Sequence, residues 1–376
     1  MASLPKSIRS LERATASEIS ASSRHFELHK SNLDLVEFIN SRMKHPVRPV
    51  NQNAVSAFSE LNESLRQRSG LAACGSWFPL VALSRDLTTT NSAAVTAPGV
   101  SKSVGNGLLP SSAVFGGGAT VLSGLSGSIF ALPYVDASFD ASGAWHEPGE
   151  SASTFSPSFQ NADLVPKSIS VEIIISRHLL RDSTADLDAL LRSELSNRLG
   201  AAIDQAAING DGDTQPLGLL NRPDLDVLEL GSNGLALAYT HLTDIEYRAS
   251  ARAGVSMSAP AWVTSPKLVK KMRNTARNTS ASIFEGAEIL GYPVRPSISV
   301  PDTLSKGTSA GVCSAMIFGD LAEIFIGFWG PAAVDLLVDS YTLAHQQKVR
   351  LVARCEVGIA ARRIGAFCAV KDALTG

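Results

Sequence analysis

Between Asp182 and Leu220 the chain reads DSTADLDALLRSELSNRLGAAIDQAAINGDGDTQPLGLL, and no other stretch limits the available folds as strongly. Ser183 stands three residues before Asp186, a capping signal, and the carboxylates of Asp186 and Asp188 favour the positive end of a helix. Leu187, Leu190, Leu191, Leu195, Leu199, Ala202, Ile203 and Ala206 then recur at three- and four-residue steps, while Arg192, Glu194, Asn197, Arg198 and Asp204 take the other face. The spacing predicts one amphipathic helix over residues 183–208, roughly 39 Å long at about 1.5 Å per residue. Such a helix is a beam on which other parts pack. Asn209-Gly210 is expected to stop it, because glycine readily takes the left-handed conformation that closes a helix, and Pro216 keeps it from resuming.

The chain's 376 residues suffice for two domains or one large elaborated one. A formal net charge of -2, with 18% charged residues, supplies no global basic field for reading nucleic acid directly. Any role with nucleic acid is therefore containment. Cys74, Cys313, Cys355 and Cys368 lack metal-ligand spacing and read as core thiols of a reducing compartment. The N-terminal MASLPKSIRSLERATASEIS has no apolar signal core, and no run nears the about eighteen apolar residues of a membrane span. A protein made in the cytoplasm, without membrane association, is expected.

Residues 1–69 carry charged helical patterns broken by HPVRPVNQN and read as a helical preface separate from the rest of the chain. Residues 70–128 turn to Gly, Ser, Thr and Ala, too small to build a core alone; Val95, Val100, Val104, Leu108 and Val114 favour an extended arm over a linker. In residues 129–220, SISVEIIIS is a strand by its β-branched content. Between Trp145 and Lys167 a polar stretch reads as a protruding two-stranded loop with Trp145 near its base. Over 221–339, YTHLTDIEYRASARAG and SPKLVKKMRNTARN read as helices, the second capped by Ser265 with Pro266 at its first position. PAWVT, ILGYPVRPSISVP, VCSAMIFGDLAEIFIGFWG and AAVDLLVDS supply strands. The tail, KVRLVARCEVGIAARRIGAFCAVK within 340–376, is two strands expected to pair with SISVEIIIS. Helices and strands mix without a βαβ rhythm, which makes the class α+β.

Candidate chemistry is thin. Gly307-Thr308-Ser309-Ala310-Gly311 matches the nucleophile-elbow pattern, but that motif needs a strand before and a helix after, whereas a strand comes next here. His345 is the single histidine downstream. Asn209, Asp211 and Asp213 imitate the first ligands of a calcium loop, yet its sixth and twelfth positions hold Thr214 and Leu220 in place of Gly and Glu. Gly210-Asp211-Gly212 ends a helix, whereas phosphate-binding glycines open one. His25 and His29 lie one helical turn apart without a metalloprotease motif. Lys267, Lys270, Lys271, Arg273 and Arg277 read as a solvated or ion-paired face, and the pair Glu147 and Glu150 sits where nothing would shift a pKa. No catalytic, cofactor or metal site is expected.

Several separated stretches together resemble the major capsid proteins of tailed bacteriophages with the HK97 fold. They are FALP, GAWHEPGE, VPKSISVEIIISRHLLRDS, the long helix with INGDGDTQPLGLL, AWVTSPKLVKKMRN, ILGYPVRPSISVP, FGDLAEIFIGFWG and the tail, in matching order over roughly residues 80–372. A helix ending in Asn-Gly-Asp-Gly, then Gln215-Pro216-Leu217-Gly218, is the most distinctive of these. The resemblance implies an N-arm over 70–128 and an E-loop over about 145–167 that overlaps a neighbouring subunit. It further implies a spine helix from Ser183, a peripheral domain over 129–220 and 340–376, and an axial domain over 221–339. It implies a subunit that assembles into hexamers and pentamers of an icosahedral head around double-stranded DNA. Portal, scaffold, protease and decoration proteins are the implied partners, and the virion, built in the host cytoplasm, is the implied location. A serine hydrolase at Ser309 and an encapsulin shell holding cargo enzymes are the alternatives.

Two departures from the family pattern matter. In the type member an E-loop lysine bonds to an asparagine of another subunit with help from a glutamate. Glu356 falls at the glutamate position, but the lysine and asparagine positions read Pro157 and Val349. The expectation is a shell without that crosslink. The second departure is the short preface 1–69, which would stand where family members often carry a longer scaffolding segment removed by a protease.

Overall fold

The computed structural model describes residues 35–43, 46, 52–69, 76–79, 99–100, 112–135, 159–182, 185–253, 256–275, 282–284, 286–330 and 333–375. Helices α1 (Leu35–Arg42) and α2 (Gln52–Ser69) precede strands β1 (Ser76–Pro79), β2 (Gly99–Val100), β3 (Thr120–Leu125), β4 (Phe130–Val135), β5 (Phe159–Leu164) and β6 (Lys167–Ser176). Next come α3 (Arg177–Asp182), α4 (Ala185–Asn209), β7 (Asp226–Val227), α5 (Tyr239–Ala253), β8 (Pro260–Thr264), α6 (Pro266–Arg273), β9 (Glu288–Ile289) and β10 (Tyr292–Pro296). The remaining strands are β11 (Leu304–Lys306), β12 (Ser309–Asp320), β13 (Ile324–Trp329), β14 (Ala333–Asp339), β15 (Lys348–Ala361) and β16 (Phe367–Leu374).

Among the described residues these strands make two large sheets and a two-stranded ribbon. The first sheet runs β1-β14-β15-β13-β3-β2 with β6 beside β15; the second runs β7-β16-β12-β8-β10-β9 with β11 on β12; β4 and β5 form the ribbon. Helix α4 lies on the first sheet. β6 and β15 pair antiparallel from Lys348↔Ser176 to Val357↔Lys167, which sets Ile169, Val171, Ile173 and Ile175 opposite Cys355, Ala353, Leu351 and Val349. With a period of two, these apolar residues share the face toward the helix. Leu187, Leu191, Leu195, Leu199, Ile203 and Ala206 of α4 meet them in one buried cluster, Leu195 and Leu199 with no exposed surface.

The helix matches the predicted span to within two residues, with Ser183 outside the described residues. Two of its side chains depart from the pattern. Leu190, expected in the buried stripe, is 64% exposed, while Asp204, expected on the wet face, is buried at 4%. Past Gly200 the buried arc widens to include Asp204, Ala207 and Ile208, because residues 112–115 and Ser297 pack on a second side of the helix.

Three expectations of organisation are corrected. The described part of the preface is not separate: Leu35, Phe38 and Ile39 of α1 and Phe58 and Leu65 of α2 are buried in the same cluster as α4. Nor is the small-residue stretch an arm throughout, since Val114, Phe115 and Val121 are buried in that cluster and β3 runs parallel to β13. Isolated apolar residues between glycines suffice there because the core they enter is already built. Finally, only the first tail strand pairs with β6; β16 pairs with β12 and β7 in the second sheet. Conversely β13 and β14, within 221–339, belong to the first sheet. Among the described strands the chain crosses between sheets three times, from β6 through α4 to β7, after Asp320 and after Ala361, so neither sheet is a continuous piece of sequence.

Local expectations for α5, α6 and β8 hold. Ser265 accepts a hydrogen bond from Leu268 N at 3.2 Å, with Pro266 opening α6. Cys313, Cys355 and Cys368 are buried free thiols, and burial, helped by the Glu356 charge, pushes the Cys355 thiol up to about 12. Cys74 lies outside the described residues.

Candidate assembly site at the end of the long helix

The sequence NGDGDTQPLG closes α4 by backbone crossing. Gly210 N donates to Ala206 O at 3.0 Å, continuing the helical ladder, while Asp211 bridges to Leu217 and Gly218 N donates to Gly210 O at 3.1 Å. Gly210 is not the left-handed residue expected there; Gly212 is, with φ of +82°. Gly210 and Gly218 are needed for contact: a Cβ on Gly210 would fall on the Pro216 carbonyl oxygen, and one on Gly218 would fall on the Gly210 nitrogen. The loop between them is filled by its own acid. Asp211 accepts from Thr214 Oγ1 at 2.6 Å, Gln215 N at 2.9 Å and Asp213 N at 3.0 Å. The Thr214 hydroxyl, then these N–H groups, hold its carboxyl below the usual range. The carboxylate that imitates a calcium ligand is thus engaged in shaping a turn.

Two neighbours tie this turn to the body. Asn221 Nδ2 donates to Gly210 O at 2.9 Å, and Lys167 Nζ, at the head of β6, donates to the Asp213 carbonyl. Lys167, Ile169, Ala202, Ala206, Gln215 and Pro216 are among the residues lining a cleft of about 210 Å³ beside it. The predicted residues Lys167, Gly210, Gln215, Pro216 and Gly218 therefore come together. Glu356 is exposed on β15, opposite Ser168 in register. Val349 is fully buried. Trp145, Glu147, Pro157, His25, His29 and Arg277 lie outside the described residues.

Sequence reasoning missed the polar groups that lock the pieces to one another. Asp204 accepts from Ser112 Oγ at 2.6 Å, Val114 N at 3.0 Å, Ala113 N at 3.3 Å and Ser297 Oγ at 3.2 Å, joining α4 to the turn before β3 and to the loop after β10. Its signal was an acid set among Ile203, Ala206, Ala207 and Ile208. Asp320 accepts from Ser258 N at 2.7 Å and Ala259 N at 2.9 Å where β12 crosses to β13. Where β15 crosses to β16, Arg362 makes two hydrogen bonds to Glu323, at 2.8 and 2.7 Å, and lies 5.1 Å over the Phe325 ring. These two crossings are therefore pinned to each other by one bidentate pair.

The end of β14 carries a pH-sensitive turn. Asp339 accepts from the Thr342 hydroxyl, from the N–H groups of Thr342 and Tyr341, and from Arg350 of β15. These hold its carboxyl at about 2, against 3.8 unperturbed. A depressed folded pKa contributes stability above the unfolded value that is lost as pH falls toward about 2. Asp339→Asn is expected to destabilise the chain at pH 6 by on the order of 1 kcal/mol after solvent screening, seen as a lower melting temperature, and to matter little at pH 2. Calorimetry at both pH values checks this; an undiminished difference at pH 2 would refute it.

At the elbow-like motif, Gly307 has φ of +56° and joins β11 to β12 in a tight hairpin, so Ser309 opens a strand of twelve residues and no helix comes after it. Among the described residues no group of three or more His, Cys, Asp or Glu is placed to hold a metal ion, and no helix is long and apolar enough to cross a membrane.

A long helix on one sheet, with a second sheet linked to it by three crossings, is a fold shared with capsid subunits. The capsids of empty and native GTA particles superpose with TM-scores of 0.57 and 0.54 at 20% identity, covering 70% of this chain and 91% of theirs. Residues 60–372 match the sequence model of the Phage capsid family, and the chain belongs to that family. It is 29% identical over 257 residues to the major capsid protein of Halomonas phage phiHAP-1, covering 66% of this chain and 39% of that relative, so it spans about two fifths of the relative's length.

Proposed function

We propose that this chain is the major subunit of an icosahedral phage head, assembling into hexamers and pentamers that enclose double-stranded DNA. The observation that carries this is the family match over residues 60–372, joined to a described body whose features are mechanical. On this reading α4 is the spine of a peripheral domain and the second sheet is the axial domain. The ribbon β4–β5 is the base of an E-loop whose Trp145, Glu147 and Pro157 meet a neighbouring copy. A near-neutral charge suits containment of DNA without sequence reading. Many modest contacts to several neighbours add through multivalency. Portal, scaffold, protease and decoration proteins are proposed partners, and host cytoplasm the place of assembly. A removable scaffold role for residues 1–69 is better confined to the part before Leu35, because α1 and α2 supply the shared core.

Deleting residues 151–158 is expected to leave a folded subunit, judged by circular dichroism, that forms no closed shells under negative-stain microscopy. Shells of normal yield would remove the E-loop role. Nucleic-acid content separates a phage head from an encapsulin-type shell around cargo enzymes. Wild-type particles boiled in detergent and reductant are expected to run as monomer, since Pro157 and Val349 offer no lysine or asparagine; a ladder of covalent multimers would contradict that.

A further inference from the structure

Among the described residues the second sheet carries an exposed knob on its helix-covered face and a hollow near its β10 edge. Helices α5 and α6 cover one face of this sheet, Leu242, Ile245, Ala249, Leu268, Val269 and Met272 sharing a core with Trp262 and Phe318. Arg248 and Arg252 of α5 pair with Asp226 of β7 at 3.4 and 3.1 Å, so that flank of the helix looks toward the β7 edge. Glu246 accepts from Tyr292 OH at 3.0 Å and marks the flank toward β10. At about 100° per residue, Asp244 then leans from the solvent side toward the β7 flank, while Tyr247 points to solvent between the two flanks, opposite the buried Leu242, Ile245 and Ala249. Tyr247 is 72% exposed, and exposed Asp244 makes no ion pair among the described residues.

At the β10 edge, among the described residues, β9 pairs with Tyr292 and Pro293 and does not reach Pro296. There Pro266, Val269 and Pro296 floor a hollow of about 350 Å³, and Lys270 and Arg273 stand at its rim. Arg273 lies 4.9 Å over the Phe284 ring, whereas exposed Lys270 has no carboxylate partner among the described residues.

We propose that this hollow is the socket for α5 of a second copy of the chain, Tyr247 entering over Pro266, Val269 and Pro296 while Asp244 pairs with Lys270. Three observations favour this occupant. The hollow is ample for one aromatic ring, the side chain best suited to an anchor with an apolar body and a polar tip. The unpaired carboxylate and the unpaired ammonium are complementary. Knob and socket are different patches of one chain, so the contact is head-to-tail, the kind of contact from which rings are built. This rests on the shell reading and adds to it which side chains make the ring.

Charge reversal tests the pair. Lys270→Glu and Asp244→Lys, made separately in the full chain, are each expected to cut the yield of rings and shells about tenfold or more, with unchanged circular dichroism and melting temperature. The combined variant is expected to restore assembly. Folded single variants that assemble at wild-type yield, or a folded combined variant that does not recover, would overturn the proposal and leave the shell reading standing. A second readout is independent of closed shells. The Asp244→Cys/Lys270→Cys double variant is expected to form disulfide-linked multimers on mild oxidation, and each single cysteine variant is not. Wild-type chain that forms no particles would sink the shell reading, while the presence or absence of this ladder still decides the contact.

Discussion

Gly210→Ala is expected to yield chain that does not accumulate as folded subunit, and Gly218→Ala to behave the same way. Each added methyl meets backbone: on Gly210 the carbonyl of Pro216, and the Ala206 oxygen at 2.6 Å; on Gly218 the nitrogens of Gly210 and, at 2.7 Å, Asn209. Backbone cannot rotate away as a side-chain tip does. Relief requires opening the 3.1 Å bond from Gly218 N to Gly210 O and the Asn221 contacts that fasten the turn. A loss of about 3 kcal/mol or more is expected for each, by the scale of overpacking and broken buried networks. Gly212→Ala, with φ of +82° but its nearest contact the Leu217 side chain at 3.1 Å, should cost only about 1 kcal/mol. Solubility and urea midpoints of the three variants check the ranking. Equal effects at all three positions would show that conformation, not crossing, sets the glycine requirement.

Asp204→Ala is expected to destabilise the subunit by about 3–5 kcal/mol, a large part of the stability of a typical domain. The change strands two N–H groups and two hydroxyls in a buried place, and the desolvation of each is no longer offset. The damage should be directional. Because Asp204 holds the turn at 112–115 and Ser297 against α4, hydrogen exchange should rise first at Ala113 and Val114, before the β6–β15 ladder. Asp204→Asn keeps one acceptor and should retain part of the stability. Protection unchanged at residues 113–114 would mean that packing by Val114 and Phe115, not the carboxylate, seats that segment.

How much was readable depended on whether the physical signal is local. The α4 periodicity, the Ser265 cap with Pro266, and the β-branched run of β6 are properties of adjacent residues, and each element appears where those residues put it. The residue exceptions on α4 are instructive. Asp204 carries the wrong polarity for its face because what packs there defines the face: this part of the helix meets residues 112–115 and Ser297, which are distant in sequence; the exposure of Leu190 has no such explanation in the structure. Pattern marks Gly210 and Gly218, but close backbone crossing, not left-handed backbone, is what requires glycine at Gly210.

The amino-acid order alone determined the helical beam, its terminal glycine loop, the mixed helix-and-strand class and the mismatch of the 307–311 and 209–220 stretches with the nucleophile-elbow and calcium-loop patterns, because each rests on spacing within a few residues. Only the tertiary structure decided that α1 and α2 join the main core, that β16 leaves the sheet of β15, and that Asp204, Asp320 and the Glu323–Arg362 pair fasten the sheets together. Those outcomes depend on which distant surfaces bury one another. The free energy of that burial has no counterpart in local periodicity.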